Sequence, residues 1–227
     1  MLTLSEIAHA VDGVLSGEDV RFSSVSIDSR TLQPDALFVA IDGERFCGTD
    51  FARDAKQAGA VAVMASSAPD RETPSIVVKD TELALWKLAE LWRSRVSLPM
   101  IGVTGSNGKT TVKEMIASIL GKMGRTHASP GNFNNHLGVP LTLLGIRPEH
   151  EFAVVEMGMS HPGEIGQLTR LVRPSIALIT NAAHAHLEGL GSLSDVVRAK
   201  AEIFLGLQSG GTAVINADDR FAAYWAA

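Results

Sequence analysis

The stretch from Ile101 to Thr111, I-G-V-T-G-S-N-G-K-T-T, constrains this chain more than any other. Ahead of it Met100, Ile101 and Val103 read as the end of a buried strand, and after it Val112, Ile116, Ile119 and Leu120 recur at helical spacing. A strand, a glycine-rich turn and a helix opening at G-K-T form a phosphate cradle, in which loop N–H groups and the positive helix N-terminus face the anion. Lys109 supplies charge between phosphates, and the Thr110 hydroxyl can sit on Mg²⁺. The phosphate-binding segment is therefore read as Thr104, Gly105, Ser106, Asn107, Gly108, Lys109, Thr110 and Thr111. The strict pattern wants a glycine five residues before Gly108, where this chain has Val103 flanked by Gly102 and Gly105, so the loop is a variant of the common type.

A chain of 227 residues, 45% hydrophobic, has room for one large or two small domains. The net charge of -5 and the lack of a long basic run offer no footing for nucleic acid or an anionic membrane. Cys47 is the one cysteine, so an internal disulfide framework is excluded and a reducing compartment is expected. No apolar run reaches membrane-spanning length, and the N-terminus lacks the order of a signal peptide. These observations predict a soluble, cytoplasmic protein without membrane insertion; a monomer is expected.

The periodicities predict an α/β chain in two parts, residues 1–81 and 82–227. In the first, Leu2 to Val11 fits a short amphipathic helix with Thr3 or Ser5 as cap. Strands follow over Phe22–Ile27, Ala36–Ile41, Ala60–Met64 and Ser75–Lys79, with a helix over Phe51–Gln57. Its polar cluster, Asp28, Ser29 and Arg30 with Glu44 and Arg45, reads either as an anion site or as a solvated loop. A helix over Thr81–Val96 leads into the second part, which alternates in the βα manner of a mostly parallel sheet with helices on both faces. Its strands are Met100–Val103, Arg125–Ala128, Phe152–Glu156, Ile176–Thr180 and Thr212–Ile215. Its helices are Lys109–Met123, Val139–Leu144, Glu164–Leu171 and Leu193–Leu207.

Three further features carry chemistry. Glu156 ends the apolar run Phe152–Val155, and an acid at the carboxyl end of a strand beside a P-loop is placed to hold the nucleotide's Mg²⁺. His184 and His186 fall in T-N-A-A-H-A-H-L-E-G, directly after the strand ending at Thr180. Metal ligation, phosphate orientation and simple exposure are all open to them. Lys200 has Val196, Val197, Ile203 and Phe204 at three and four residues on either side, which sets it in the apolar stripe of its helix. A lysine there must snorkel, find a partner, or lose its charge by modification.

Together V-T-G-S-N-G-K-T-T, G-N-F-N-N-H-L-G-V-P-L-T, E-M-G-M-S-H-P-G-E-I, A-H-L-E-G-L-G-S and R-A-K-A-E-I-F, in this order, resemble the Mur ligases of bacterial cell-wall synthesis. D-S-R-T-L-Q-P-D-A-L-F-V-A-I-D-G-E-R-F extends the resemblance to the family's N-terminal domain. The G-N-F-N-N and E-M-G-M-S-H-P-G-E-I segments are most similar to those of the member that joins D-alanyl-D-alanine to UDP-N-acetylmuramoyl tripeptide.

The resemblance implies an ATP-driven, Mg²⁺-dependent ligase in which a substrate carboxylate forms an acyl phosphate that the incoming amine then attacks. By family position Lys109 and the loop amides hold phosphates, and Thr110 and Glu156 hold one Mg²⁺. His186 and a carbamylated Lys200 serve a second Mg²⁺. Lys109, Glu156, His186 and Lys200 are thus the implied catalytic set. Ser29, Arg30, Arg45 and Phe46 fall where the UDP end of the substrate is received, and Asn134 and Asn135 where its muramoyl-peptide end approaches the phosphates. The family has three domains, whereas this sequence stops at N-A-D-D-R-F-A-A-Y-W-A-A while the sheet is still adding strands. The resemblance therefore implies an N-terminal domain and a partial central domain, without an acceptor-binding domain, inactive in ligation alone. A non-catalytic substrate-binding module and a sibling ligase for another amino acid are the alternative readings.

Overall fold

The computed structural model describes residues 2–43, 46–183 and 191–227. Arg45, His184 and His186 lie outside the described residues, as does Glu44. The chain divides into two compact units that part between Trp92 and Arg93.

The first unit opens with α1 (Leu4–Ala10), whose apolar face buries Leu4, Ile7 and Ala8. Thr3, not Ser5, caps it. Thr3 Oγ1 accepts from the Glu6 amide at 3.3 Å, and Glu6 Oε2 accepts from the Thr3 amide at 2.8 Å, a reciprocal capping box. Ser5 turns instead to Asp19, donating to its carboxylate at 2.6 Å. Then come β1 (Val14–Ser16), β2 (Ser24–Ser26), β3 (Ala36–Val39), α2 (Ala52–Gln57), β4 (Ala60–Ala65), β5 (Ser75–Val77) and α3 (Thr81–Ser94). The five strands lie in the order β1-β5-β4-β3-β2, all parallel to their neighbours except β1, which is antiparallel to β5. Sequence periodicity misses β1, because three partly exposed residues between Gly13 and Gly17 are too few to display a period. Ala52 and Ala55 of α2 join Ala36, Phe38, Ala60 and Val63 in one buried cluster. Small side chains on both surfaces let the helix lie close to the sheet.

The second unit alternates strands and helices: β6 (Met100–Thr104), α4 (Lys109–Leu120), β7 (Thr126–Ala128), α5 (Gly138–Leu144), β8 (Phe152–Glu156), α6 (Glu164–Val172), β9 (Ile176–Ile179), α7 (Leu193–Ala201), β10 (Thr212–Ile215) and α8 (Ala222–Ala226). The strands are ordered β10-β9-β6-β8-β7, and every neighbouring pair is parallel. The first strand of the unit therefore lies at the centre, and the chain leaves it toward both edges. Such an arrangement opens a crevice at the carboxyl ends of the central strands. On one face Val112, Ile116 and Leu120 of α4 pack on Ile101, Val103 and Val154. On the other, α5 and α6 cover a face where Met100 and Val155 are fully buried.

Two helices differ most from the sequence reading. α4 stops at Leu120 rather than Met123, and Ile119, counted among its apolar positions, is 64% exposed and points to solvent with Met115 and Met123. The segment expected as one helix over Leu193–Leu207 divides into α7 and a 3-10 turn over Glu202–Gly206. Within the turn, Thr169 Oγ1 donates to the Ile203 carbonyl at 2.7 Å. Among the described residues no helix is long and apolar enough to cross a membrane.

Candidate nucleotide-binding site

The register of the central strands brings the chemistry together. Val103 lies opposite Glu156, and Thr104 opposite Ile179, so the glycine-rich loop, the acid and the segment after β9 leave the sheet at one level. Gly105 turns the chain out of β6. A Cβ there would collide with Thr180 Oγ1, so position 105 requires glycine, whereas Val103 is a fully buried core residue of β6. Gly108 caps α4 with φ 76°, a left-handed turn that aims the first amides of the helix into the loop.

The loop's groups hold one another and the segment after β9. Lys109 Nζ donates to the Gly105 carbonyl at 3.0 Å and the Ser106 carbonyl at 3.4 Å. The Asn107 amide donates to Asn181 Oδ1 at 3.0 Å, while the Asn107 carbonyl accepts from Thr180 Oγ1 at 2.7 Å and Asn181 Nδ2 at 3.1 Å. Ser106 Oγ bridges to Ala183, accepting from its amide at 2.9 Å and donating to its carbonyl at 3.1 Å. The segment after β9 thus splints the phosphate loop. Thr104 is fully buried with an unpartnered Oγ1, and Thr111 is exposed.

Glu156 is 1% exposed and still carries three hydrogen bonds. Thr110 Oγ1 donates to its Oε2 at 2.9 Å, Asn134 Nδ2 donates to its Oε1 at 2.8 Å, and its own amide donates to Ser129 Oγ at 3.0 Å. Each carboxylate oxygen keeps a lone pair, and a carboxylate beside a hydroxyl suits a hard divalent cation such as Mg²⁺. Asn135 does a different job: its Oδ1 accepts from the Gly138 amide at 2.9 Å and caps α5.

Lys200 is 3% exposed, in the apolar stripe of α7. Burial, together with repulsion from Lys109, pushes its ammonium down to about 7. No carboxylate among the described residues pairs with it, and among those residues no group of three or more His, Cys, Asp or Glu could hold a metal. Glu164 and Glu202 shape the neighbouring helix start. Glu164 Oε2 accepts from the Ser160 amide at 2.6 Å, and Glu202 accepts from the Gly163 and Gly166 amides, both at 2.9 Å.

In the first unit, Arg30 is 84% exposed at its side chain and forked onto Asp28, with Nε on Oδ1 at 2.9 Å and Nη2 on Oδ2 at 2.8 Å. Arg30 holds the Asp28 carboxyl down at about 2. Ser29 is half-buried beside them. Phe46 is 54% exposed and meets Phe51 edge-on at 5.6 Å.

The sequence reading misses Thr180 and Asn181, and it misses Lys113. Lys113 is completely buried, donating to the carbonyls of Ser129 at 2.7 Å and Gly131 at 2.9 Å and pairing with Glu114 at 2.9 Å. The available signal was its place one helical turn after Lys109, on the same face of α4.

A profile of the Mur ligase middle domain matches residues 103–227, more than half of the chain, and one of the Mur ligase family catalytic domain matches residues 21–91. The chain belongs to the Mur ligase family. It is 47% identical to the UDP-N-acetylmuramoyl-tripeptide--D-alanyl-D-alanine ligase of Escherichia coli K12, over 99% of this chain and 50% of that protein. The Bacillus subtilis ligase of the same name is 42% identical over 96% of this chain and 49% of its own length. Crystal structure I of MurF from Acinetobacter baumannii matches with TM-score 0.89 and 36% identity, over 98% of this chain and 50% of that one. MurF from Thermotoga maritima in complex with ADP matches with TM-score 0.75 and 33% identity, over 86% of this chain and 46% of that one. This Mur ligase chain spans about half the length of the relatives it matches.

Proposed function

We propose that these 227 residues are the carboxylate-activating half of an ATP-dependent ligase that adds D-Ala-D-Ala to UDP-N-acetylmuramoyl tripeptide in peptidoglycan precursor synthesis. Residues 1–81 receive the UDP end of the substrate, through Ser29, Arg30, Arg45 and Phe46. Residues 82–227 hold ATP. The reading rests above all on the hydrogen-bonded line Thr110–Glu156–Asn134 beside a phosphate loop. A hydroxyl, a carboxylate and an amide joined in this way beside a phosphate loop support a site where nucleotide and acyl substrate meet.

In the reaction, an oxygen of the substrate carboxylate attacks the γ-phosphorus of ATP, the bond to the β-bridging oxygen breaks, and ADP leaves. The D-Ala-D-Ala amine then attacks the acyl carbon, loses a proton, and expels phosphate. Both reactants in the first step are anions, so the site needs cations more than a strong base. Lys109 leaves the carbonyls of Gly105 and Ser106 for the phosphates, and the Asn107 amide leaves Asn181. Mg²⁺ held by Thr110 and Glu156 neutralises phosphate charge when bound. Asn134 fixes the Glu156 carboxylate and offers its remaining polar atoms to the peptide end of the substrate, beside Asn135.

Lys200 is the residue of this site least suited to stay a cation. Its burial favours the neutral amine, whose nitrogen adds to carbon dioxide and releases a proton to solvent; the resulting carbamate is an anion that would be able, with His186, to serve a second Mg²⁺. Intact-mass measurement in bicarbonate buffer tests this, with Lys200→Met expected to lose the adduct.

Titration calorimetry with UDP-N-acetylmuramoyl tripeptide, free UDP and ATP·Mg tests the whole reading. Tighter binding of the tripeptide than of UDP, and Mg²⁺-dependent binding of ATP, are expected. Absence of binding to all three ligands overturns it. The 227 residues alone are expected not to ligate D-Ala-D-Ala, and product formed by the purified chain would refute that expectation.

A further inference from the structure

Lys113 is the largest side chain in the fully buried set, and the activation chemistry makes no use of it. A buried ammonium is costly unless its donors are satisfied. Here they are: the carbonyls of Ser129 and Gly131 accept at 2.7 and 2.9 Å, and Glu114, itself 62% exposed at its side chain, accepts at 2.9 Å. Two of these three acceptors belong to the segment that leaves the carboxyl end of β7 and runs to Asn134.

That segment controls Glu156 from two sides. Ser129 Oγ accepts from the Glu156 amide at 3.0 Å and from Thr142 Oγ1 at 3.4 Å, tying the start of the segment to the end of β8 and to α5. At the other end, the Asn134 carbonyl accepts from the Gly158 amide at 2.7 Å, and Asn134 Nδ2 donates to Glu156 Oε1. Between these anchors the chain passes through Gly131, with φ 50°, and the exposed residues Asn132 and Phe133. Apart from Lys113, no side chain donates to the carbonyls of 129 and 131 in the described structure. The same helix α4 carries Thr110 one turn earlier, on the other oxygen of Glu156.

We infer that Lys113 is a positioning residue for the metal-binding carboxylate. By gripping the carbonyls of Ser129 and Gly131 from the phosphate-loop helix, it sets the 129–134 segment so that Asn134 and Thr110 hold Glu156 between them. The inference rests on the proposed role of Glu156 in holding nucleotide-bound Mg²⁺. Its consequence is that α4, which carries the phosphate-contacting residues, also fixes the segment that approaches the acyl substrate. Partners that orient a metal ligand typically change metal affinity by about 10- to 100-fold when removed.

The test uses Lys113→Met, close in length but without donors, and Lys113→Arg, which keeps charge and donors. Two quantities are read on the 227-residue chain. One is the gain in ADP affinity on adding Mg²⁺, by calorimetry with and without chelator. The other is the side-chain amide signal of Asn134 by NMR, assigned with Asn134→Asp. Lys113→Met is expected to reduce the Mg²⁺-dependent gain about 10- to 100-fold while leaving ADP affinity in chelator unchanged. It is also expected to move the Asn134 signal to the position of a solvent-exposed amide, and Lys113→Arg is expected to restore both. A lysine serving stability alone would lower the melting temperature and leave both readings of the folded protein as in the wild type. That result overturns the inference. If Lys113→Met does not fold, Lys113→Gln, which retains one donor, is read in the same two ways. Should the wild type show no Mg²⁺-dependent gain, the metal reading of Glu156 fails, and the Asn134 signal still judges Lys113 by itself.

Discussion

Thr110 Oγ1 and Glu156 Oε2 are 2.9 Å apart and hydrogen-bonded, which joins the phosphate-loop helix to the last residue of the neighbouring strand. The hydroxyl donates to the carboxylate here, and a hydroxyl beside a carboxylate is a donor set that would suit a hard divalent cation. Glu156→Gln keeps the shape of this pair and removes its charge. We expect Glu156→Gln to lose more than about 10-fold in Mg²⁺-dependent nucleotide affinity, with the melting temperature nearly unchanged. Calorimetry and thermal unfolding check the two halves of that statement.

Gly105 is the loop position that cannot carry a side chain. Gly105→Ala drives a methyl into Thr180 Oγ1 and strains a backbone at φ 154°, so we expect a loss of more than about 2 kcal/mol in urea unfolding, with nucleotide binding abolished. Adding Thr180→Ala removes the obstacle and should recover part of the stability. No recovery in the double variant would place the strain elsewhere.

Arg93 is 5% exposed and ends no ion pair with a carboxylate among the described residues. Its guanidinium instead donates to three carbonyls, those of Val172 at 2.6 Å, Arg173 at 3.0 Å and Val96 at 2.9 Å, and so closes the carboxyl end of α6. Burial lowers its ionisation to about 10, which still leaves it charged near neutrality. Arg93→Ala should cost about 2 to 4 kcal/mol in equilibrium unfolding, since the carbonyls of Val172 and Val96 lose this side-chain donor, while that of Arg173 keeps Gln208 Nε2 at 2.7 Å. Arg93→Lys should recover only part, because a single ammonium cannot span the same fork.

His127 introduces an acid sensitivity. Its Nε2 is 2.8 Å from the Thr142 carbonyl, its ring lies 5.1 Å from that of His150, and burial lowers its protonation below the usual 6.5. His150 is lowered too, by burial first and then by Arg147 and Arg125, while Glu149 opposes the shift. A depressed folded-state value means that the unfolded chain binds the proton first. Stability is therefore full above pH 6.5 and falls as the pH drops below it. His127→Gln, neutral and still able to donate to Thr142, should flatten the decline measured between about pH 7.5 and pH 5.5.

Arg30 separates binding from folding. Its side chain is 84% exposed and forked on Asp28, so Arg30→Ala should leave the melting temperature unchanged. If the first unit receives the UDP end of the substrate, the same variant binds UDP-N-acetylmuramoyl tripeptide about 10-fold more weakly. Unchanged affinity would remove Arg30 from the site.

The alternation of strand and helix, the phosphate loop and the acid at the end of Phe152–Glu156 were legible in the sequence because each is a local pattern. A run of five residues ends in a carboxylate, or glycines precede G-K-T, whatever the rest of the chain does. Lys200 was legible as an anomaly for the same reason, a charge at an apolar period. Other features depended on tertiary structure. The G-K-T loop needed its glycine at 105 because Thr180, 75 residues away, occupies the space of a Cβ. Ile119 has helical spacing and faces solvent, since periodicity marks a stripe but not its width. The local mark of Lys113, one helical turn after Lys109, does not show that it is buried. Glu114 next to it supplies one acceptor, but the other two are carbonyls of Ser129 and Gly131 from the segment after β7, and satisfying a buried charge in this way depends on neighbours far apart in the chain.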